Sequence, residues 1–286
     1  MSGRADQRGV ALLLVLWACT LLAILLGGYA VLARTQAVQT RYQFAQTQAH
    51  YAAEAGLMRA IWSLQQGDPQ LRWVGDGRMY PFAFDGARVK LSIVEEDGKV
   101  DLNAATPEVL QGLFRAAGLD SAAAARLTAH VVAWRSFAGD TAAADTDRAA
   151  YAAAGRDYGP RHGPFATLEE LQQVLDMTPD LYARLQSAIT LWSGRAVPDP
   201  NTAPSLALAA IPGLDPQQLQ AVLAARQHNA DAGMPPLGGG ITASIRAEAT
   251  LADGTRAEIR ATIRQRPGTM GVLPYTVLRW QEGDGE

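Results

Sequence analysis

The sequence predicts an α+β fold: one long N-terminal helix packed on an antiparallel sheet, with a large all-helical domain inserted into that sheet. Three observations predict it. The first 66 residues keep a helical pattern that opens with an uncharged apolar run. Two distant regions, 87–94 and 241–263, alternate apolar and polar residues as half-buried strands do. Between them lie Ala-rich helical segments punctuated by Pro and Gly.

The apolar run is Val10–Ala33, 24 uncharged residues between Arg8-Gly9 and Arg34. At about 1.5 Å per residue such a helix spans roughly 36 Å, enough to cross a bilayer core of about 30 Å. A cleaved secretory signal would have a shorter apolar core with a small-residue cleavage site after it. A plain single-span anchor fits the length. A third reading is a short polar leader cut after Gly, which exposes the apolar helix. Met1–Gly9 carries Arg4 and Arg8 and ends in Gly9, where the missing Cβ lets a protease approach the backbone.

From Thr35 to Gln66 there is no Pro and only one Gly. Ala45, Ala49, Ala52, Gly56 and Ala60 recur at spacings of three and four, a small-residue stripe on one helix face. The stripe suits packing on the chain's own domain or on neighbouring subunits. A membrane helix that continues into a soluble domain as one rod is how pilins are built. Arg4 and Arg8 at the short end put that end in the cytoplasm by the positive-inside tendency, and Arg34 and Arg41 oppose it. The single cysteine, Cys19, lies in the span, so no intramolecular disulfide can form.

With 286 residues, a net charge of −3 and 48% hydrophobic residues, the chain has room for the helix and one or two cores. Gly67–Gly86 reads as loop with short extended pieces, Ala87–Val94 as a strand and Asp97-Gly98 as a turn. Helix starts are marked at Thr106-Pro107, Asp120-Ser121, Thr178-Pro179 and Asp215-Pro216, and Thr167 with Glu170 reads as a capping box. Met234–Gly240 reads as a linker. Two alternating runs then flank Asp253-Gly254, a hairpin signal, and Tyr275–Trp280 is a further strand.

This order of parts resembles the K-type minor pseudopilins of bacterial type II secretion (general secretion pathway protein K). Local stretches carry the resemblance over nearly the whole chain. They are Gln7-Arg8-Gly9-Val10-Ala11-Leu12-Leu13, Asp97-Gly98-Lys99-Val100-Asp101-Leu102-Asn103-Ala104-Ala105, Gly163-Pro164-Phe165 with Leu168-Glu169-Glu170-Leu171, and Asn201-Thr202-Ala203-Pro204. The chain then divides into a leader at 1–9, a transmembrane and amphipathic helix at 10–66 and the first part of a pilin-like β domain at 67–96. An inserted SAM-like α-domain at 97–240, returning strands at 241–280 and a disordered tail at 281–286 follow.

The resemblance implies cleavage between Gly9 and Val10 by prepilin peptidase, with methylation of the new Val10 amine. It implies a single-pass inner-membrane protein with a periplasmic C-terminal domain, and partnership with the I- and J-type minor pseudopilins at the pseudopilus tip. Ordinary pseudopilins carry Glu at the fifth mature position. Here that position is Leu14, as the K type implies. Without a subunit above it at the tip, a Glu there would have no ammonium to pair with in the membrane. The resemblance also implies calcium in the α-domain, held by acidic residues after a Trp-centred helix. Trp134 is present, the first acidic position reads Ser136, and Asp140, Asp145 and Asp147 follow. The same carboxylates suit a solvated loop.

Other classes fit less well. Leu206–Leu219 and Leu113–Asp120 resemble helix–hairpin–helix turns, the mark of a membrane-anchored nucleic-acid binder. Yet Glu95–Gly240 holds 17 acidic and 10 basic residues, a net of −7, the wrong sign for phosphate. No enzyme is indicated: His50, His130, His162 and His228 are isolated, and Glu95-Glu96 reads as a solvated turn. A minor pilin of a type IV pilus-like machine would share the leader, though ordinary minor pilins lack so large a helical insertion.

Overall fold

The computed structural model describes residues 8–68, 71–137, 139, 141–231, 240–266 and 273–283. Helix α1 runs unbroken through Arg8–Leu64. Strands β1 (Asp76–Phe84) and β2 (Ala87–Glu95) follow, then a 3₁₀ turn at Glu96–Gly98 and the short β3 (Val100–Asp101). Helices α2 (Pro107–Ala116), α3 (Ser121–Arg135) and α4 (Thr141–Ala153) come next. A 3₁₀ segment at Leu168–Gln173, α5 (Pro179–Leu185), β4 (Ile189–Thr190), α6 (Ser205–Ala209) and α7 (Pro216–Asp231) complete the helical block. Strands β5 (Thr242–Thr250), β6 (Arg256–Gln265) and β7 (Tyr275–Gly283) return to the sheet.

The main sheet has the order β1-β2-β5-β6-β7, antiparallel throughout. Two strands, not one, precede the helical block. The segment read as loop is largely β1, paired through Asp85-Gly86, whose positive φ values (47 and 78) make a tight hairpin turn. Pro81 hid this strand. It is tolerated because β1 is an edge strand. At the other end β7 continues past Trp280 to Gly283, so the first residues of the expected disordered tail are strand, and residues 284–286 lie outside the described set. Met234–Gly239 of the expected linker also lie outside it.

One face of the sheet buries α1. Ala49, Ala52, Ala53, Leu57, Ala60 and Ile61 pack on Val89, Leu91 and Ile93 of β2, Ile245 and Ala247 of β5, and Ile259 and Ile263 of β6. The strands alternate because only one face is buried. Gly56 sets the approach distance. A Cβ there would lie 2.8 Å from Val89 Cγ1 and 2.9 Å from Leu91 Cδ2.

The second core is separate and belongs to the helical block, around Leu110, Leu113, Phe114, Leu127, Trp134, Leu185, Ile189 and Leu208. Its helices start on caps: the Thr106 hydroxyl accepts from Val109 N, Asp120 Oδ1 from Ala123 N and Thr178 Oγ1 from Leu181 N. At α7 the Asp215 carboxylate accepts from Gln218 N while Gln218 Oε1 accepts from Asp215 N, a full capping box. The box expected at Thr167 and Glu170 does not form. Thr167 makes no cap bond, the segment is 3₁₀, and Glu170 Oε1 takes Arg161 Nη1 (2.6 Å) and Ala166 N (3.3 Å) instead.

Candidate functional site

The first half of α1 is apolar and stands free of the body. Every large hydrophobic residue from Leu12 to Leu32 is exposed, and Leu14 keeps 65% of its surface. Within Ala11–Leu64 the apolar window reaches a mean hydropathy of 2.5 with none of it buried. Burial of such side chains releases about 1.5–3 kcal/mol each, so this surface belongs in lipid or among other apolar helices. The Thr20 hydroxyl donates to Leu16 O one turn back (2.7 Å), which leaves no free hydroxyl hydrogen facing the apolar surroundings. Gly9 and Val10 lie in the first turn of α1.

The small-residue stripe has a different fate. Ala45, Ala49, Ala52, Gly56 and Ala60 are all buried against the chain's own sheet. The assembly role expected of the stripe is corrected: its surface is consumed internally. The large residues on the other side, Tyr42, Phe44, Tyr51 and Trp62, are exposed in its place.

Three of the stretches that carry the resemblance, 97–105, 163–171 and 201–204, meet in space. Asp101 is buried and its Oδ1 accepts from Asn103 N (2.8 Å) and Ala104 N (3.2 Å), while its Oδ2 accepts from Gly194 N (2.7 Å). The Asn103 amide pairs with both backbone groups of Phe165: Oδ1 accepts from Phe165 N (2.7 Å) and Nδ2 donates to Phe165 O (3.1 Å). Arg135 donates to Leu102 O (2.7 Å) and Ala105 O (2.6 Å). Gly98 presses on the backbone of 202–203, and a Cβ there would lie 2.4 Å from Thr202 C. Asp199 N donates to Asp97 O (2.9 Å). These motifs are joints between loops, and their polar side chains satisfy backbone groups that burial would otherwise orphan.

Glu95-Glu96 is not a solvated turn. Glu95 is 5% exposed and Glu96 0%. The pair sits where the helical block leaves the sheet, and docking of the block removes both from water. Glu95 Oε2 accepts from Gly240 N (3.2 Å), where the chain returns. Burial pushes the Glu95 carboxyl up to about 7, with the Gly240 amide and Arg72 pulling down and Asp97 and Asp199 pushing further up. Glu96 points to the opposite face, where Oε1 takes Lys99 Nζ (2.7 Å). Two further ties cross the junction. Arg264 Nη2 donates to Trp192 O (2.8 Å) and Arg279 Nη2 to Glu169 Oε1 (3.3 Å).

The two expected calcium ligands among the described residues, Asp145 and Asp147, are not gathered. Asp145 and Asp147 lie two apart on α4, so their side chains diverge. Asp147 Oδ2 is 3.9 Å from His162 Nε2, and Asp145 is exposed. Asp140 lies outside the described residues. Among the described residues no three carboxylate, imidazole or thiol groups converge to hold a metal. Trp134 is instead a core residue, stacked on Phe165 at 6.0 Å between ring centres. As a calcium site the described residues do not fit.

Residues 89–194, from β2 through β4, match the family model for Type II secretion system (T2SS), protein K. This stretch, and not the chain as a whole, is similar to the type II secretion K proteins. A solved chain in the GspK-GspI-GspJ complex from the enterotoxigenic Escherichia coli Type 2 Secretion System has the same fold, with a TM-score of 0.57. That likeness covers 87% of this chain and 99% of the other at 17% identity. No curated protein matches the sequence. The matched stretch contains Asp101, Asn103, Arg135 and Phe165, residues of the loop joints described above.

Proposed function

We infer that the chain is a minor pseudopilin of type II secretion that caps and initiates the pseudopilus together with the I- and J-type minor pseudopilins. The carrying observation is the K-family match over the junction and helical block of a molecule whose first helix is an exposed apolar span. The span anchors the chain in the inner membrane, with the N-terminus cytoplasmic and the folded body periplasmic. Prepilin peptidase cuts between Gly9 and Val10. The helical block widens the molecule beyond its helix-on-sheet body, and a subunit this wide does not repeat along a thin fibre. The work is structural and needs no catalytic group.

The inserted block is read as SAM-like. Its α2–α3 and α6–α7 pairs turn through Gly118 and Gly213 at φ 102 and 80, as helical hairpins do. Its net charge of −5 over residues 97–240 speaks against phosphate contact, so the hairpins serve packing.

Mass spectrometry of the chain from its own membrane, with and without prepilin peptidase, tests the processing. A peptidase-dependent start at methylated Val10 is expected. An intact Met1 would remove the pseudopilin reading. Copurification with I- and J-type partners, lost on Gly9 replacement by a residue the peptidase rejects, tests the assembly.

A further inference from the structure

The sheet face turned away from α1 has a charge that the fold does not need. Register places its residues. Opposite partners in an antiparallel ladder share a face. Lys90 faces Glu248, Ser92 faces Arg246, and Arg246 faces Arg260. Thr250 faces both Arg88 and Arg256, Thr242 faces Arg264, and Thr262 faces Arg279. Seven cations (Arg88, Lys90, Arg246, Arg256, Arg260, Arg264 and Arg279) share this face with two carboxylates, Glu248 and Glu258, in a chain whose net charge is −3.

Part of the excess is neutralised. Glu258 binds both Arg246 and Arg260, and Glu169 binds Arg279, while Arg264 keeps its charge and donates to the Trp192 carbonyl. Arg88, Lys90 and Arg256 are exposed at the end of the face remote from the helical block. At the near end the face runs into a cleft of about 580 Å³ between sheet and block, within the roughly 300–1,000 Å³ of ligand clefts. Arg246, Arg260, Arg279 and Lys99 line it with Glu96, Glu169 and Trp192, and Arg279 lies 5.8 Å from the Trp192 ring centre. Even with Glu96 and Glu169 counted, cations exceed carboxylates along the face and cleft.

We propose that this basic face and its cleft dock an extended acidic segment of another protein. Complementary charge steers such a segment to the face, and the cleft, walled by two cores, gives its end a fixed seat. An anionic membrane is the weaker occupant. The face looks sideways from α1, whereas a bilayer crossed by residues 10–33 lies beyond the helix end.

The test uses the full chain in neutral detergent. A fluorescent eight-residue peptide alternating Glu and Ser is compared with its Gln analogue by anisotropy. The acidic peptide is expected to bind at least about tenfold tighter, and to weaken as salt rises and screening shortens. The triple variant Arg88→Gln, Lys90→Gln, Arg256→Gln should lose most of that preference. A control triple on the helical block, Arg126→Gln, Arg156→Gln, Arg184→Gln, should keep it. If the first triple loses its fold by circular dichroism, Arg279→Gln, which removes a cleft cation at a half-exposed edge site, reads the same loss. Equal binding of the two peptides, equal loss in the control, or displacement of the peptide by phosphatidylglycerol vesicles but not by soluble polyglutamate would overturn the proposal. None of these outcomes touches the Gly9–Val10 processing that tests the pseudopilin reading.

Discussion

The two halves of α1 are one continuous helix with opposite surroundings. Residues 11–44 present large apolar side chains to the outside, while residues 45–64 bury alanines, Gly56, Leu57 and Ile61 in a sheet. Hydrophobicity alone would rank the first half as core. The difference teaches that size, as well as polarity, assigns a helix face. Close packing on a sheet needs small side chains so that strand side chains can reach the helix, and a lipid-facing surface has no such demand.

Breaking the sheet side should give the largest effect. Leu57→Ala empties a fully buried site and is expected to cost about 2–5 kcal/mol, read as a lower denaturation midpoint of the full chain in detergent. On the lipid side, Leu14→Glu should weaken membrane retention by about 2–3 kcal/mol and leave the sheet's melting unchanged. Flotation assays and circular dichroism separate the two effects. Gly56→Ala probes the closeness of the helix to the sheet. Its methyl would displace Val89 and Leu91, and a loss of about 1–2 kcal/mol is expected even though Ala favours helix.

A subtler effect lies at the end of β2 in the same sheet. Folding raises the Glu95 carboxyl from 4.5 to about 7, so the folded chain holds this proton more tightly than the unfolded one. Its contribution to stability is therefore fullest below the unfolded value of 4.5 and declines as pH rises through 7. Glu95→Gln should flatten that decline, by about 2 kcal/mol between pH 5 and 8 in chemical denaturation. A wild-type curve that rises over this range would contradict it. Smallest of all, Leu25→Ala in the exposed half should change the melting of the folded body by less than about 0.5 kcal/mol.

Legibility followed the range of the interactions. The apolar run, the helix that continues from it, the Asp253-Gly254 hairpin and the caps at Thr106, Asp120 and Thr178 depend on neighbours in sequence, and local pattern shows them. The β1 strand was obscured by Pro81, whose meaning turns on whether the strand lies at an edge. The stripe of small residues was visible as a face, but which surface covers it depended on strands up to about 200 residues away. Burial of Glu95 and Glu96 comes from docking between the two cores, and no local pattern reports it. Asp101 and Asn103 were visible as part of a stretch that carries the resemblance, yet their partners, Gly194 and Phe165, lie 93 and 62 residues on.

The way the helical block is attached has a mechanical consequence. Glu95 and Ala243, on either side of the block, are partners on neighbouring strands, and eight such pairs run from there to Arg88 and Thr250. Tension applied along the chain from the anchor passes across this ladder. The block hangs on the slack side of it, as a loop clipped at the neck. Until the β2–β5 pairs unzip, a pull on the helix loads the sheet and leaves the block unstretched.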